Sequence, residues 1–268
     1  MGKISDALEK IDSLEELRIV NSQDGKGQIE ESVISEASSA IAIEEDANPV
    51  RVNGKWDDRL LKAINNNSKL PKVFQTLRST IIHHIDGKKI PKSIMVGSSM
   101  PGEGKSFITA NLGVSFANSM DQHCLLVDCN LRNPTLAHAF GIYQKYGLVD
   151  YLIDQVDLAE VVIETSVPKL SILPSGAIPN DPAKLLSSPW MQAFIEEVSN
   201  RYEDSTIIFD SPPMLMADES IALAGQVDAI VMVVRQGTAK KNEAKRFIDV
   251  VDKTKILGIV FNVLPPLN

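Results

Sequence analysis

Apolar and polar positions divide the chain into three zones. Over residues 4–18, Ile4, Leu8, Ile11, Leu14 and Leu17 fall on one helical stripe, with Asp6, Glu9, Asp12, Glu15 and Glu16 mostly off it. That is the spacing of a short amphipathic helix, expected over residues 1–18. Its polar face is too acidic to suit an anionic bilayer. Two readings stay open: a docking helix for a partner protein, or an N-terminal helix folded back on its own domain. Residues 19–57 hold no aromatic until Trp56 and are rich in Ser, Glu, Asn and Gly. Such a stretch buries too little apolar surface to offset its ordering entropy, so a flexible acidic linker is expected over 19–59.

From about Leu60 to residue 268 the pattern is that of a folded domain. Leu70, Phe74, Leu77, Ile81 and Ile85 lie on one face of a helix expected over 70–85. Short, continuous apolar runs follow at 93–96, 124–127, 170–173, 207–209, 229–234 and 256–261. Helical stretches at 105–118, 190–200 and 240–253 lie between them. Apolar strands alternating with helices predict a doubly wound α/β domain, a mostly parallel sheet with helices on both faces.

Charge sharpens this division. The 268 residues carry 27 Lys+Arg and 35 Asp+Glu, a formal net charge of −8. Fourteen acidic and seven basic residues lie within 1–60, so the folded part is close to neutral. No basic stripe remains, which argues against nucleic acid as the main ligand. No apolar run reaches the about 18 residues that suggest a membrane span, and no signal-type apolar region follows the charged first turn. Asp6 stands where a myristoylation signal wants Ser or Thr. Cys124 and Cys129, in or beside one apolar strand, are too few for a zinc site or a disulfide framework. A reduced, cytoplasmic protein is the expectation.

Candidate chemistry begins after the first strand. Gly97-Ser98-Ser99-Met100-Pro101-Gly102-Glu103-Gly104-Lys105-Ser106 reads as strand end, glycine loop and helix start. Gly102 and Gly104 let successive N–H groups face phosphate oxygens at the positive end of the next helix. Lys105 would place a charge on the β and γ phosphates and Ser106 a hydroxyl on Mg²⁺. Ser99 stands where the strict G-x-x-x-x-G-K-[ST] pattern has glycine. Asp128 ends the second apolar run and Asp210 a later one, both at the carboxyl edge where such sheets bind ligands. One glycine loop and two strand-end aspartates make a set able to hold Mg·ATP in a P-loop NTPase fold.

On these motifs the chain resembles the bacterial tyrosine autokinases of capsule and exopolysaccharide loci, relatives of the deviant P-loop ATPases that position cell components. The likeness covers about 60–268 and extends to Gly147-Leu148-Val149-Asp150-Tyr151-Leu152, to Leu173-Pro174-Ser175-Gly176, to the block from Pro182 to Ser188, and to Asp210-Ser211-Pro212-Pro213. The opening Lys3-Ile4-Ser5-Asp6-Ala7-Leu8 is similar to the exopolysaccharide branch. The resemblance implies ATP and Mg²⁺ as cofactors. It implies a nucleotide cradle from Pro101, Gly102, Glu103, Gly104, Lys105, Ser106 and Phe107, with Arg132 nearby and Asn262 near adenine. Metal would be held by Ser106, Asp128 and Asp210, and Lys105 and Asp128 would be catalytic, Asp128 as base toward the tyrosine hydroxyl. The implied partners are a protein tyrosine substrate and the cytoplasmic segment of a membrane-embedded chain-length regulator, which would recruit the kinase to the inner face of the membrane.

The chain departs from the family pattern at three places. The second motif reads Asp128-Cys129-Asn130-Leu131-Arg132 where the family has D-x-D-x-R, so one carboxylate is an amide. The ring-assembly motif E-x-x-R-x-x-R is represented by Lys72, Gln75 and Arg78, which weakens the case for self-assembly. The last of the four tyrosines is Tyr202, so the usual tyrosine-rich tail is missing. These departures motivate an alternative, an ATP-gated interaction module of the same pathway with little kinase activity. Tyr143, Tyr146 and Tyr151 are either ordinary packing or other phosphoacceptors. His83 and His84, about 100° apart on a helix, read as a solvated face.

Overall fold

The protein is described by a computed structural model. The structure describes residues 55–58, 60, 70–83, 91–119, 122–154, 156–201 and 205–262. The expected N-terminal helix, most of the linker and His84 lie outside the described residues. Among the described residues no helix is long and apolar enough to cross a membrane.

In chain order the elements are α1 (Leu70–His83), β1 (Ser93–Ser98), α2 (Lys105–Ala117), β2 (His123–Asp128), α3 (Leu136–Ala139), α4 (Leu148–Asp154), α5 (Leu158–Val161), β3 (Ile163–Glu164), β4 (Leu170–Leu173), α6 (Pro182–Leu186), α7 (Pro189–Arg201), β5 (Ser205–Asp210), α8 (Asp218–Gln226), β6 (Ala229–Arg235), α9 (Lys241–Val250) and β7 (Ile256–Asn262). The sheet runs β3-β4-β2-β5-β1-β6-β7. All pairings are parallel except β3 with β4, an antiparallel edge.

Successive strand side chains leave the sheet on opposite faces, and two apolar clusters result. Met95, Val127, Ile207, Phe209, Met232 and Val234 pack on one side with Phe194 of α7 and Phe247 of α9. Ile94, Val96, Leu126, Ile208 and Val233 pack on the other with Leu112 and Phe116 of α2. Phe74 and Ile81 of α1 belong to this second cluster, with Leu77 half-buried against it. That is the face the sequence predicts for the helix over 70–85. The central strands β1, β5 and β6, and β2 past its first residue, are buried on both faces, which is why they read as uninterrupted apolar runs.

The α9 helix ends before residue 253, the end expected from the pattern. Val251 leaves the helical backbone, and the Asp252 carboxylate accepts from Thr254 N at 2.9 Å to start a separate one-turn 3-10 helix. Three adjacent strand ends position the candidate chemistry. Asp210 pairs in register with Asp128 on one side and with Val96 on the other. The loop following β1 therefore stands beside both aspartates.

Candidate active site

The β1–α2 connection makes the sharp turn its glycines allow. Gly102 has φ 77° and Gly104 has φ 95°, both in the left-handed region. A Cβ at Gly104 would also fall 2.1 Å from Asn262 Nδ2, so only glycine fits there. Beyond the turn Lys105 opens α2, with Ser106 in its first turn. Lys105 is buried and its Nζ donates to Ser98 Oγ at 2.9 Å, while Ser98 Oγ donates to the Met100 carbonyl at 2.8 Å. Burial lowers the pKa of Lys105, opposed by the nearby charges of Asp210 and Glu103. An ammonium so placed has one neutral hydroxyl as its hydrogen-bond partner, an arrangement suited to a dense anion.

Asp128 and Asp210 are both fully buried. Asp128 Oδ1 accepts from Asn130 N at 3.1 Å. Its Oδ2 accepts from Thr135 N at 3.1 Å and from Leu136 N at 3.0 Å. Neither carboxylate oxygen of Asp210 has a hydrogen-bond partner. Burial pushes Asp128 up to about 8, and the Asp210 charge adds to this against the three N–H donors. Burial likewise pushes Asp210 up to about 6, held down by the nearby Ser106 hydroxyl and by Lys105. A buried carboxylate with only the Ser106 and Thr109 hydroxyls near it, beside a second carboxylate, makes a pair of groups suited to a cation. The Ser106 hydroxyl, which accepts from Thr135 Oγ1 at 3.0 Å, adds a third oxygen near Asp210. These hard oxygen donors fit Mg²⁺.

The remaining residues singled out from the sequence have other attachments. The Glu103 side chain turns inward. Its Oε2 accepts from Met100 N at 2.7 Å and its Oε1 from Arg235 N at 3.3 Å, so the carboxylate braces the loop and leaves only backbone for a ligand. Pro101 is exposed, and the Phe107 ring packs edge-on against Phe74 at 6.1 Å. Arg132 donates through Nε to Glu219 Oε1 at 2.7 Å, and Glu219 is 2% exposed. Asn262 Nδ2 donates to the Glu103 carbonyl at 2.9 Å. Asn130 Nδ2 donates to the Asn133 carbonyl at 2.8 Å, so its amide closes the turn after β2. Cys129 is fully buried and burial raises its thiol pKa, consistent with a packing role. Arg78 is half-buried and its Nη1 donates to the Ser115 carbonyl of α2, whereas Lys72 and Gln75 are exposed.

Several residues of the site were not legible beforehand. Ser98 holds the buried lysine, Thr135 links the second motif to Ser106, and Glu219 anchors Arg132. The Pro134 turn after Asp128 was a signal for Thr135, since an N–H just past a turn is a natural donor to a strand-end carboxylate. Glu219 carried no such signal.

The carboxylate pair has a measurable consequence. Both pKa values lie above the ordinary value of 3.8, so the folded state holds protons that the unfolded state has released. The stability this contributes is present below about pH 4 and is lost as pH rises through about 6 and then about 8. In chelator, the melting temperature is expected to fall between pH 6 and 8.5, and Mg²⁺ should restore it most at the upper end. A curve identical to that of Asp128→Asn over this window would contradict the pairing.

The chain is similar to proteins of known name. The family described as "AAA domain" matches residues 91–256. Tyrosine-protein kinase YwqD of Bacillus subtilis is 35% identical over 191 residues, covering 70% of this chain and 79% of that protein. Tyrosine-protein kinase CpsD of Streptococcus agalactiae is 30% identical over 197 residues, covering 72% and 83%. Among solved structures, the chimerical protein CapA2B2 superimposes with a TM-score of 0.70 at 28% identity, over 80% of this chain and 95% of that one. The septum site-determining protein MinD of Pyrococcus horikoshii, complexed with Mg-ADP, superimposes with a TM-score of 0.53 at 22% identity over 65% of this chain, a likeness of fold.

Proposed function

We propose how tyrosine phosphorylation is carried out by this chain, which belongs to the bacterial tyrosine-protein kinases of capsule and exopolysaccharide loci. The enzyme is an ATP-dependent protein-tyrosine kinase. Backbone N–H groups of the loop from Gly102 to Ser106, which follows Pro101 and leads into α2, receive the phosphates. Lys105 neutralises charge on the β and γ phosphates and keeps the terminal phosphorus in line for attack. Ser106 and Asp210, with Asp128 beside them, would hold Mg²⁺, which when bound neutralises phosphate charge. Asp128 orients the acceptor hydroxyl and takes its proton. Asn262 keeps the phosphate loop in its turn through the Glu103 carbonyl, next to the expected adenine position.

The observation that carries this reading is the Asp210 carboxylate, fully buried with only the Ser106 and Thr109 hydroxyls and the Lys105 ammonium near it to offset its charge. That combination is costly in an empty pocket and is resolved by a metal-bound polyphosphate. We further assign the enzyme to regulation of polysaccharide polymerisation and export. Its partner would be the cytoplasmic segment of a membrane-embedded chain-length regulator, which would bring residues 60–268 to the inner face of the membrane. The test is transfer from radiolabelled ATP to a Glu/Tyr copolymer with Mg²⁺ and that segment. Phosphotyrosine formed only with metal and ATP is expected. ATP hydrolysis without any phosphotyrosine would instead favour the interaction-module reading.

A further inference from the structure

Thr135 occupies the N-cap position of α3, yet its side chain does not cap. Its carbonyl accepts from Ala139 N at 3.2 Å, the first hydrogen bond of that helix. A threonine so placed ordinarily turns its hydroxyl onto the N–H of the second or third helical residue. The Thr135 hydroxyl makes no such bond. Asp128 serves the helix start instead, its Oδ2 accepting from Thr135 N at 3.1 Å and from Leu136 N at 3.0 Å. The hydroxyl left over donates to Ser106 Oγ at 3.0 Å.

This contact joins two separate segments, 29 residues apart in the chain. Thr135 is exposed, but its backbone is fixed on both sides. Ahead of it, Asn133 N donates to the Asn130 carbonyl at 3.0 Å and Asn130 Nδ2 to the Asn133 carbonyl at 2.8 Å, closing the turn. Directly after it, Leu136 is fully buried. Ser106 is equally fixed, in the first turn of α2 behind the left-handed Gly104. One residue thus holds the Asp128 carboxylate with its N–H and the Ser106 hydroxyl with its side chain.

A hydroxyl has one proton and two lone pairs. One lone pair of Ser106 Oγ takes the Thr135 proton, so the serine's own proton turns elsewhere. Asp210 is beside it, and the Ser106 hydroxyl helps to hold that carboxyl down. One lone pair then remains for a cation. Groups that hydrogen-bond a metal ligand fix the direction of its donor atom. We propose that Thr135 is a positioning residue for the metal, its hydroxyl orienting Ser106 Oγ so that the remaining lone pair faces Mg²⁺. The proposal rests on the kinase reading above, in which Ser106 serves Mg²⁺.

The test is calorimetry of ADP binding, with graded Mg²⁺ and in chelator, on the full-length native chain, Thr135→Val and Thr135→Ser. Valine keeps the branched shape and the N–H to Asp128 and removes the hydroxyl, which serine returns. The Mg²⁺ concentration that half-saturates the ADP complex is expected to rise about tenfold in Thr135→Val, the lower end for loss of a group that orients a metal ligand. In Thr135→Ser it should return to near the native value. ADP affinity in chelator and the metal-free melting temperature should stay native in both, since the loop amides and Lys105 remain and α3 keeps its bonds to Asp128. Tyrosine transfer by Thr135→Val should need correspondingly more Mg²⁺, with kcat at saturating Mg²⁺ close to native.

Should Thr135→Val fail to fold, Thr135→Ala, which has no branch to clash, reads the same point. Unchanged Mg²⁺ affinity without the hydroxyl overturns the proposal and leaves the kinase reading standing. Weaker ADP binding in chelator, a lowered metal-free melting temperature, or a Thr135→Ser no better than Thr135→Val assigns Thr135 a structural role and overturns it as well. A native chain whose ADP binding ignores Mg²⁺ overturns the proposal together with the metal assignment of the kinase reading.

Discussion

Lys105→Met is expected to lower kcat/KM for tyrosine phosphorylation by about 10³-fold, at the upper end of what loss of one preorganised charge-stabilising donor removes. Methionine is unbranched and of similar length, so it fills the buried channel that the lysine stem occupies. What it lacks is the ammonium, which is buried with the Ser98 hydroxyl as its hydrogen-bond partner. Two effects then act together. The phosphates lose their nearest fixed positive charge. Asp210, whose carboxyl that charge holds down, becomes harder to ionise and therefore a poorer metal ligand. Weaker ATP binding by calorimetry should accompany the loss of transfer, with melting temperature retained. Transfer within tenfold of the native rate would show that Lys105 does not face the phosphates.

The positions of much of this site are readable in the sequence, for a physical reason. A strand buried on both faces must be continuously apolar, so a polar residue at its end stands out. Asp128 and Asp210 were found that way, and Lys105 by the glycine turn ahead of it. The sheet followed from the same runs. Besides α4 and α8, of seven and nine residues, the elements that escaped prediction were short. The α3, α5 and α6 helices have four, four and five residues, too few for a 3.6-residue period to emerge. The antiparallel β3 has two residues.

The roles of individual side chains were less legible than their positions. Glu103 lies in the glycine loop and Asn262, which the family resemblance put near adenine, donates to that loop's backbone, so the hydrogen bonds of both run within the protein. Whether a polar group turns outward to a ligand or inward to a backbone amide depends on three-dimensional neighbours 132 or 159 residues away, which no local pattern encodes. Asn130 illustrates the same point. Its amide donor closes onto Asn133, so a carboxylate there would add charge beside Asp128 and also remove a turn bond.

Asp128→Asn is expected to reduce transfer by about 10² to 10⁴-fold, the range for loss of a positioned general base. The substitution keeps shape but not chemistry. An amide oxygen can still accept from Thr135 N and Leu136 N, as Oδ2 does now. The amide nitrogen would then face the Asn130 N–H, donor against donor, where Oδ1 accepts today. That local conflict is expected to reduce stability by about 1 kcal/mol or somewhat more. It is opposed by removal of a like charge beside Asp210, so net stability near pH 8 should change little. The pH profile separates a catalytic from a merely structural role. A base acts when deprotonated, so native transfer should rise with pH as Asp128 loses its proton. Its carboxyl is pushed up to about 8 without metal, and a bound cation would bring the rise to lower pH. In Asp128→Asn this rising limb should vanish while ATP binding persists. A variant that keeps the limb, however reduced its rate, would assign the proton to another group and leave Asp128 as the residue that positions Thr135 and Leu136.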